Sequence, residues 1–98
     1  MTIENLKQDS HLTLKVAGRV DTITAPDFEK EIRENIDGIT KLSIDIADVA
    51  YISSAGLRVL LSAQKIMNKQ GEMEILNVQD AIKEIFDVTG FSDILTIR

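Results

Sequence analysis

The sequence predicts a single α/β domain built on a mixed, mostly parallel sheet, with an N-terminal β-hairpin and helices mainly on one face. Three observations lead there. Several short stretches alternate apolar and polar residues, the period of half-buried strands. Between them, apolar residues recur three and four apart, the period of amphipathic helices. The two periods take turns along the chain, which is the order of a sheet assembled through crossover connections.

Leu12, Leu14 and Val16 alternate with Thr13 and Lys15 and predict a strand. Ile3 to Lys7 is a weaker strand before it, and the polar "QDSH" between the two suits a hairpin turn. Thr24 reads as the N-cap of a first helix, with Asp27 as its capping-box partner and Pro26 tolerated in the first turn. Phe28, Ile32 and Ile36 share one face of it. Leu42, Ile44 and Ile46 alternate with Ser43 and Asp45 and predict a third strand, followed by the loop "ADVAYISSAG". A second helix starts at Ser53 and Ser54 and runs to about Lys69, with Gly71 as its C-terminal cap. Leu60, Ala63 and Met67 form its apolar face; Arg58, Ser62, Lys65 and Lys69 form a polar stripe. Met73 to Leu76 is a short fourth strand. A third helix starts near Asn77, carries Asp80 in a capping-box position, turns Ile82, Ile85 and Phe86 inward and ends at Gly90. Ile94 to Ile97 is a candidate fifth strand. The clearest strands alternate, where strands covered on both faces would be apolar throughout, so one sheet face is expected to stay partly wet.

Composition narrows the function. The 98 residues are 44% hydrophobic and 28% charged, with a net charge of −5, one histidine and no cysteine. Nucleic acid or an anionic membrane would call for clustered Lys and Arg, so neither is expected as a partner. No thiolate metal site or disulfide framework is possible. Asp45 and Asp48 read as a sheet-face and a loop carboxylate, not as a metal pair, and no metal or cofactor is expected. "MTIENLK" has no basic segment leading into an apolar one, and no apolar run approaches a membrane span, so a cytoplasmic protein is expected.

The serine pair asks for a reason. One hydroxyl could simply cap the second helix, which is worth about 1 kcal/mol. A catalytic serine needs a base; His11 lies in the predicted turn, and G-x-S-x-G is absent. Phosphorylation suits the position better, because the start of a helix offers free N–H groups and a positive dipole end.

Two segments then carry a resemblance: "IDIADVAYISSAGLRVLLSAQK" and "GRVDTITAPDFEKEI", the latter running from Gly18 to Ile32. They resemble the signature and the earlier Gly-x-x-Asp loop of the STAS domain, and the order of elements matches over nearly the whole chain, residues 1–98 as one domain. A free-standing chain of this size is similar to the bacterial anti-sigma factor antagonists, or anti-anti-sigma factors. The resemblance implies a binding module and not an enzyme. Unphosphorylated, it would bind an anti-sigma factor with serine kinase activity and release a sigma factor; phosphorylation would switch it off, and a PP2C-type phosphatase would reset it. Carried over, the motif places the phosphoacceptor at Ser54, with Ser53 as the alternative. The implied partner surface comprises Asp21, Thr22, Ser53, Ser54, Ala55, Gly56 and Arg58, with Asp21 meeting a basic partner residue. Many members have Asp before the acceptor and Ser or Thr after it; this chain has Ser53 and Ala55. The free protein is expected to be a monomer. The alternatives are a STAS regulatory or scaffold module that binds a nucleotide or lipid, against which stands the missing G-x-x-x-x-G-K-[ST] loop, and a small hydrolase, against which stands the missing base.

Overall fold

The structure, a computed structural model, describes residues 1–98. In chain order it contains β1 (Thr2–Gln8), β2 (His11–Val20), α1 (Ala25–Asn35), β3 (Lys41–Ile52), α2 (Ser54–Gln70), β4 (Glu72–Leu76) and α3 (Asp80–Thr89), then a 3₁₀ turn over Phe91–Asp93. The sheet order is β1-β2-β3-β4. The β1–β2 hairpin is antiparallel, and β2–β3 and β3–β4 are parallel. Both crossovers step the same way across the sheet, so right-handed connections put α1 and α2 on one face. Toward that face point Leu12, Leu14 and Val16 of β2, Leu42, Ile44 and Ile46 of β3, and Met73 and Ile75 of β4, all buried. Phe28 and Ile32 of α1, Leu60, Ala63 and Met67 of α2, and Ile82 and Phe86 of α3 complete the same core. The mixed sheet, the hairpin and the one-sided helices are as the sequence predicts.

The open face carries a polar network. His11 stands 2.8 Å from the Ser43 hydroxyl, which donates to Glu74 Oε2 at 2.6 Å. Ser43 has one proton and gives it to Glu74, so Nε2 of His11 is the donor in its own bond. His11 is therefore the first residue of β2 and a bonded one, not a solvated turn histidine. Its Nε2 is also not free to take a serine proton. Lys41 Nζ and Arg98 Nε lie 3.7 and 3.5 Å from the Glu74 carboxylate. The Ser43 hydrogen bond, followed by the charges of Lys41 and Arg98, holds the Glu74 carboxyl below the usual glutamate range against the opposing effect of desolvation. A depressed carboxyl stabilises the fold above its unfolded pKa, about 4.3, and that stabilisation is lost as pH falls through the lower folded value. Thermal melts of the wild type should therefore drop on acidification across that window, and melts of Glu74→Gln should show a flatter slope there. Equal slopes would remove Glu74 from the acid response.

Four sequence expectations are corrected. Ile94 to Ile97 is not a fifth strand: after Gly90 the chain curls into the 3₁₀ turn, and only Ile97 bridges to Ile75. The segment "ADVAYI" is not loop but the end of β3, where two register shifts against β2 break the alternation that would have revealed it. Asp27 does not cap α1; the Thr24 side chain makes no cap bond within the helix. Nor does α3 begin near Asn77, which has a positive φ of 57° and precedes a helix starting at Asp80.

Gly71 caps α2 as the sequence predicts, its N–H donating to the Met67 carbonyl at 2.7 Å. Its φ of 171° is extended. It is glycine because a Cβ there would lie 1.9 Å from the Thr40 carbonyl oxygen, at the threshold of β3.

Candidate functional site

The carboxyl ends of β2 and β3 lead into the two segments that the sequence singles out. The Ser53 N–H donates to the Val20 carbonyl at 2.8 Å, which ties the start of α2 to the residue before Asp21. Gly56, in the first turn, permits this approach. A Cβ there would sit 2.7 Å from Ile52 Cγ1 and 2.8 Å from Val20 Cγ1. Gly56 is buried beneath the site, so its role is to seat the helix on the strand ends.

The two serines have different surroundings. Ser53 is the N-cap: its backbone is extended, and its side chain accepts from the Gly56 N–H at 3.4 Å, a long bond. Ser54 is the first residue of α2, exposed, and its hydroxyl makes no hydrogen bond to the protein. Free backbone N–H groups of the first turn and the positive end of the helix dipole surround it. The cap, which the sequence left open between Ser53 and Ser54, thus falls on Ser53, and the Ser54 hydroxyl stays unengaged.

Asp21 lies in the loop between β2 and α1. Its Oδ1 accepts from the N–H groups of Ile23 and Thr24, each at 3.0 Å, with the Thr24 hydroxyl 3.2 Å away. The Thr24 hydroxyl also donates to the Arg19 carbonyl and accepts from the Asp21 N–H, both at 2.9 Å. The Thr24 backbone bond is the first cause that holds the Asp21 carboxyl below the usual aspartate range; the Ile23 backbone bond, the Thr24 hydroxyl and the Arg19 charge add to it, against desolvation. Arg19 Nε stands 3.7 Å from Asp21 Oδ2, and its guanidinium lies over the Tyr51 ring at 4.5 Å. Oδ1 of Asp21 is therefore engaged inside the loop, while Oδ2 faces only the Arg19 charge. Asp21→Ala should leave the melt close to wild type but speed amide hydrogen exchange at Ile23 and Thr24. Unchanged exchange at both amides would show that the carboxylate does not organise the loop.

Thr22, Ala55 and Arg58, three of the residues picked out in the sequence, line one cleft of about 250 Å³ between the loop and the start of α1 on one side and α2 on the other. Ala25, Pro26, Glu29, Val59 and Ser62 complete its walls. The geometry gathers a hydroxyl at a helix start, a braced acidic loop and a shallow cleft on one end of the sheet. His11, the chain's one histidine, is hydrogen-bonded to Ser43 at the opposite ends of the strands. No group of three or more His, Cys, Asp or Glu is placed to hold a metal ion, and no helix is long and apolar enough to cross a membrane. Ile23, a lone large aliphatic residue in the polar loop "DTITAP" that the sequence reading did not single out, stands exposed next to Thr22 of this cleft.

The fold and this site define a small α/β module of the STAS type. The STAS domain family model matches residues 2–98, and the chain belongs to that family. It is 34% identical, over all of its own length and 89% of the relative's, to the anti-sigma-B factor antagonist of Listeria monocytogenes. Its fold is similar to that of an anti-sigma factor antagonist from Mycobacterium paratuberculosis, with a TM-score of 0.89, 24% identity, and coverage of 98% of this chain and 83% of that one. It is also similar to the Bacillus cell fate determinant SpoIIAA in its phosphorylated form, with a TM-score of 0.78, 13% identity, and coverage of 99% and 91%.

Proposed function

We propose that this chain is an anti-sigma factor antagonist switched by phosphorylation of Ser54. Unphosphorylated, residues 1–98 act as one domain that docks on an anti-sigma factor with serine kinase activity and so frees a sigma factor. The docking surface comprises Asp21, Thr22, Ser53, Ser54, Ala55, Gly56 and Arg58, with Gly56 contributing by seating α2. The observation that carries this reading is the exposed, unbonded Ser54 hydroxyl at the start of α2, beside a Ser53 already engaged as the cap. In the switching step the Ser54 oxygen attacks the γ-phosphorus of ATP held by the partner, its proton leaves and ADP departs. The chain is substrate and ligand, not enzyme. A PP2C-type phosphatase hydrolyses the phosphoserine and restores docking. The setting is the cytoplasm, and the free form is a monomer. The antagonist names borne by relatives support the partner class.

The test mixes the chain with its cognate anti-sigma factor and the sigma factor, with and without ATP, and follows the complexes by size-exclusion chromatography. Sigma factor should be released without ATP and recaptured as phosphate accumulates on the chain. Release that never occurs, or that ATP does not reverse, would overturn the reading.

A further inference from the structure

Ile23 is the most exposed large apolar side chain of the molecule, at 85%. Single apolar residues on a surface ordinarily need no explanation. This one differs in how it is held. Its own N–H donates to Asp21 Oδ1, the Thr24 N–H donates to the same oxygen, and the Ala25 N–H donates to the Asp21 carbonyl at 2.8 Å. The turn that carries Ile23 is thus fixed on both sides. It adjoins Thr22, which lines the cleft with Ala25, Pro26, Ala55 and Val59. A projecting aliphatic group and a partly apolar hollow therefore lie side by side at the end of the sheet that presents Ser54. Arg58 also lines the hollow, and it forms none of the chain's ion pairs.

We infer that Ile23 is a specificity anchor that enters an apolar socket on the partner protein, next to an acidic partner group that meets Arg58. This rests on the reading that the Ser54 end docks an anti-sigma factor. Interfaces draw most of their affinity from a few side chains buried in fitted pockets. The backbone that carries Ile23 is already fixed, so docking has only the side-chain rotamer left to order, and more of the burial is retained as affinity. Burying one aliphatic side chain of this size is enough for about tenfold in affinity or more. The bracing of the loop by Asp21 then has a purpose beyond the loop: it aims Ile23. The unpaired Arg58 specifies the sign of the partner's neighbouring charge.

Calorimetry with the purified cognate anti-sigma factor tests this, using the wild type, Ile23→Ser, Ile23→Leu and Arg58→Gln. Ile23→Ser should weaken binding by about tenfold or more and leave the melt unchanged, because the side chain is almost fully in solvent. Ile23→Leu should stay within about threefold of wild type, as a near-isosteric apolar exchange does. Arg58→Gln should weaken binding at low salt and flatten its salt dependence. Wild-type affinity in Ile23→Ser would overturn the anchor, and an unaltered salt dependence in Arg58→Gln would remove the acidic group. If Ile23→Ser changed only the sedimentation of the chain on its own, the residue would serve self-association and the inference would fall. If the wild type itself did not bind the anti-sigma factor, the proposed function would fail and take this inference with it.

Discussion

Phosphate on Ser54 is expected to weaken anti-sigma factor binding roughly a hundredfold or more while the domain keeps its fold. The asymmetry comes from what surrounds the charge in each state. In the free chain Ser54 is exposed at the start of α2, where unpaired N–H groups and the helix dipole favour an anion. In a docked interface the same charge loses its water, and an uncompensated buried charge costs about 3–5 kcal/mol. The phosphorylated and unmodified proteins should therefore melt close together and differ in calorimetric affinity. Ser54→Ala should bind without taking up phosphate. Ser54→Asp, with one charge and a shorter reach, should imitate the phosphate incompletely. Ser53→Ala should still be phosphorylated but lose about 1 kcal/mol of stability with its cap. Mass spectrometry after incubation with kinase and ATP distinguishes the two serines. Phosphate confined to Ser53, or undiminished uptake by Ser54→Ala, would move the switch to the other residue.

The largest effect on stability is expected at Gly71. Alanine there would place a carbon 1.9 Å from the Thr40 carbonyl oxygen, 2.6 Å from its carbon and 2.8 Å from its Cα. All three atoms are backbone, so no side-chain rotation relieves the clash. The displaced segment also carries the bond from the Glu72 N–H to the Thr40 carbonyl at 3.0 Å, with which β4 starts beside β3. Overpacking of this kind costs about 1–3 kcal/mol and sometimes more. For a domain of this size each kcal/mol lowers the melting temperature by roughly 4–8 °C. Calorimetric melts of Gly71→Ala should fall by on the order of 10 °C or more. A melt within about two degrees of wild type would mean that the Thr40 segment yields freely.

Much of the architecture could be read from local pattern. The alternation at Leu12–Val16 and Leu42–Ile46, the apolar faces of the helices and the stop at Gly90 each depend on neighbours within a few residues. What escaped depends on contacts between distant segments or on backbone geometry. His11 reads as a turn residue because its partner, Ser43, is 32 positions away. Gly71 reads correctly as a helix cap, but nothing local reveals the Thr40 carbonyl beside it. The extension of β3 is hidden by bulges, which shift the alternation on which strand reading relies. In the site, the serine pair was visible, but its division into cap and exposed hydroxyl needed the helix boundary. Asp21 was visible as a marked residue, but its bonds to Ile23 and Thr24 were not, since Thr24 followed by Asp27 offered a capping box that the folded chain does not form.

The polar network on the open face also bears on how the chain finds its structure. Its two links span similar lengths: His11 to Ser43 is 32 residues, and Ser43 to Glu74 is 31. Closing a loop costs entropy that grows only with the logarithm of its length, so the two parallel pairings carry nearly equal closure costs. Neither joins the first part of the chain directly to the last. The β1–β2 hairpin closes locally, β3 can add once α1 has formed, and β4 can add once α2 has formed. Assembly can thus advance in the direction of synthesis, each strand docking on a neighbour that is already in place.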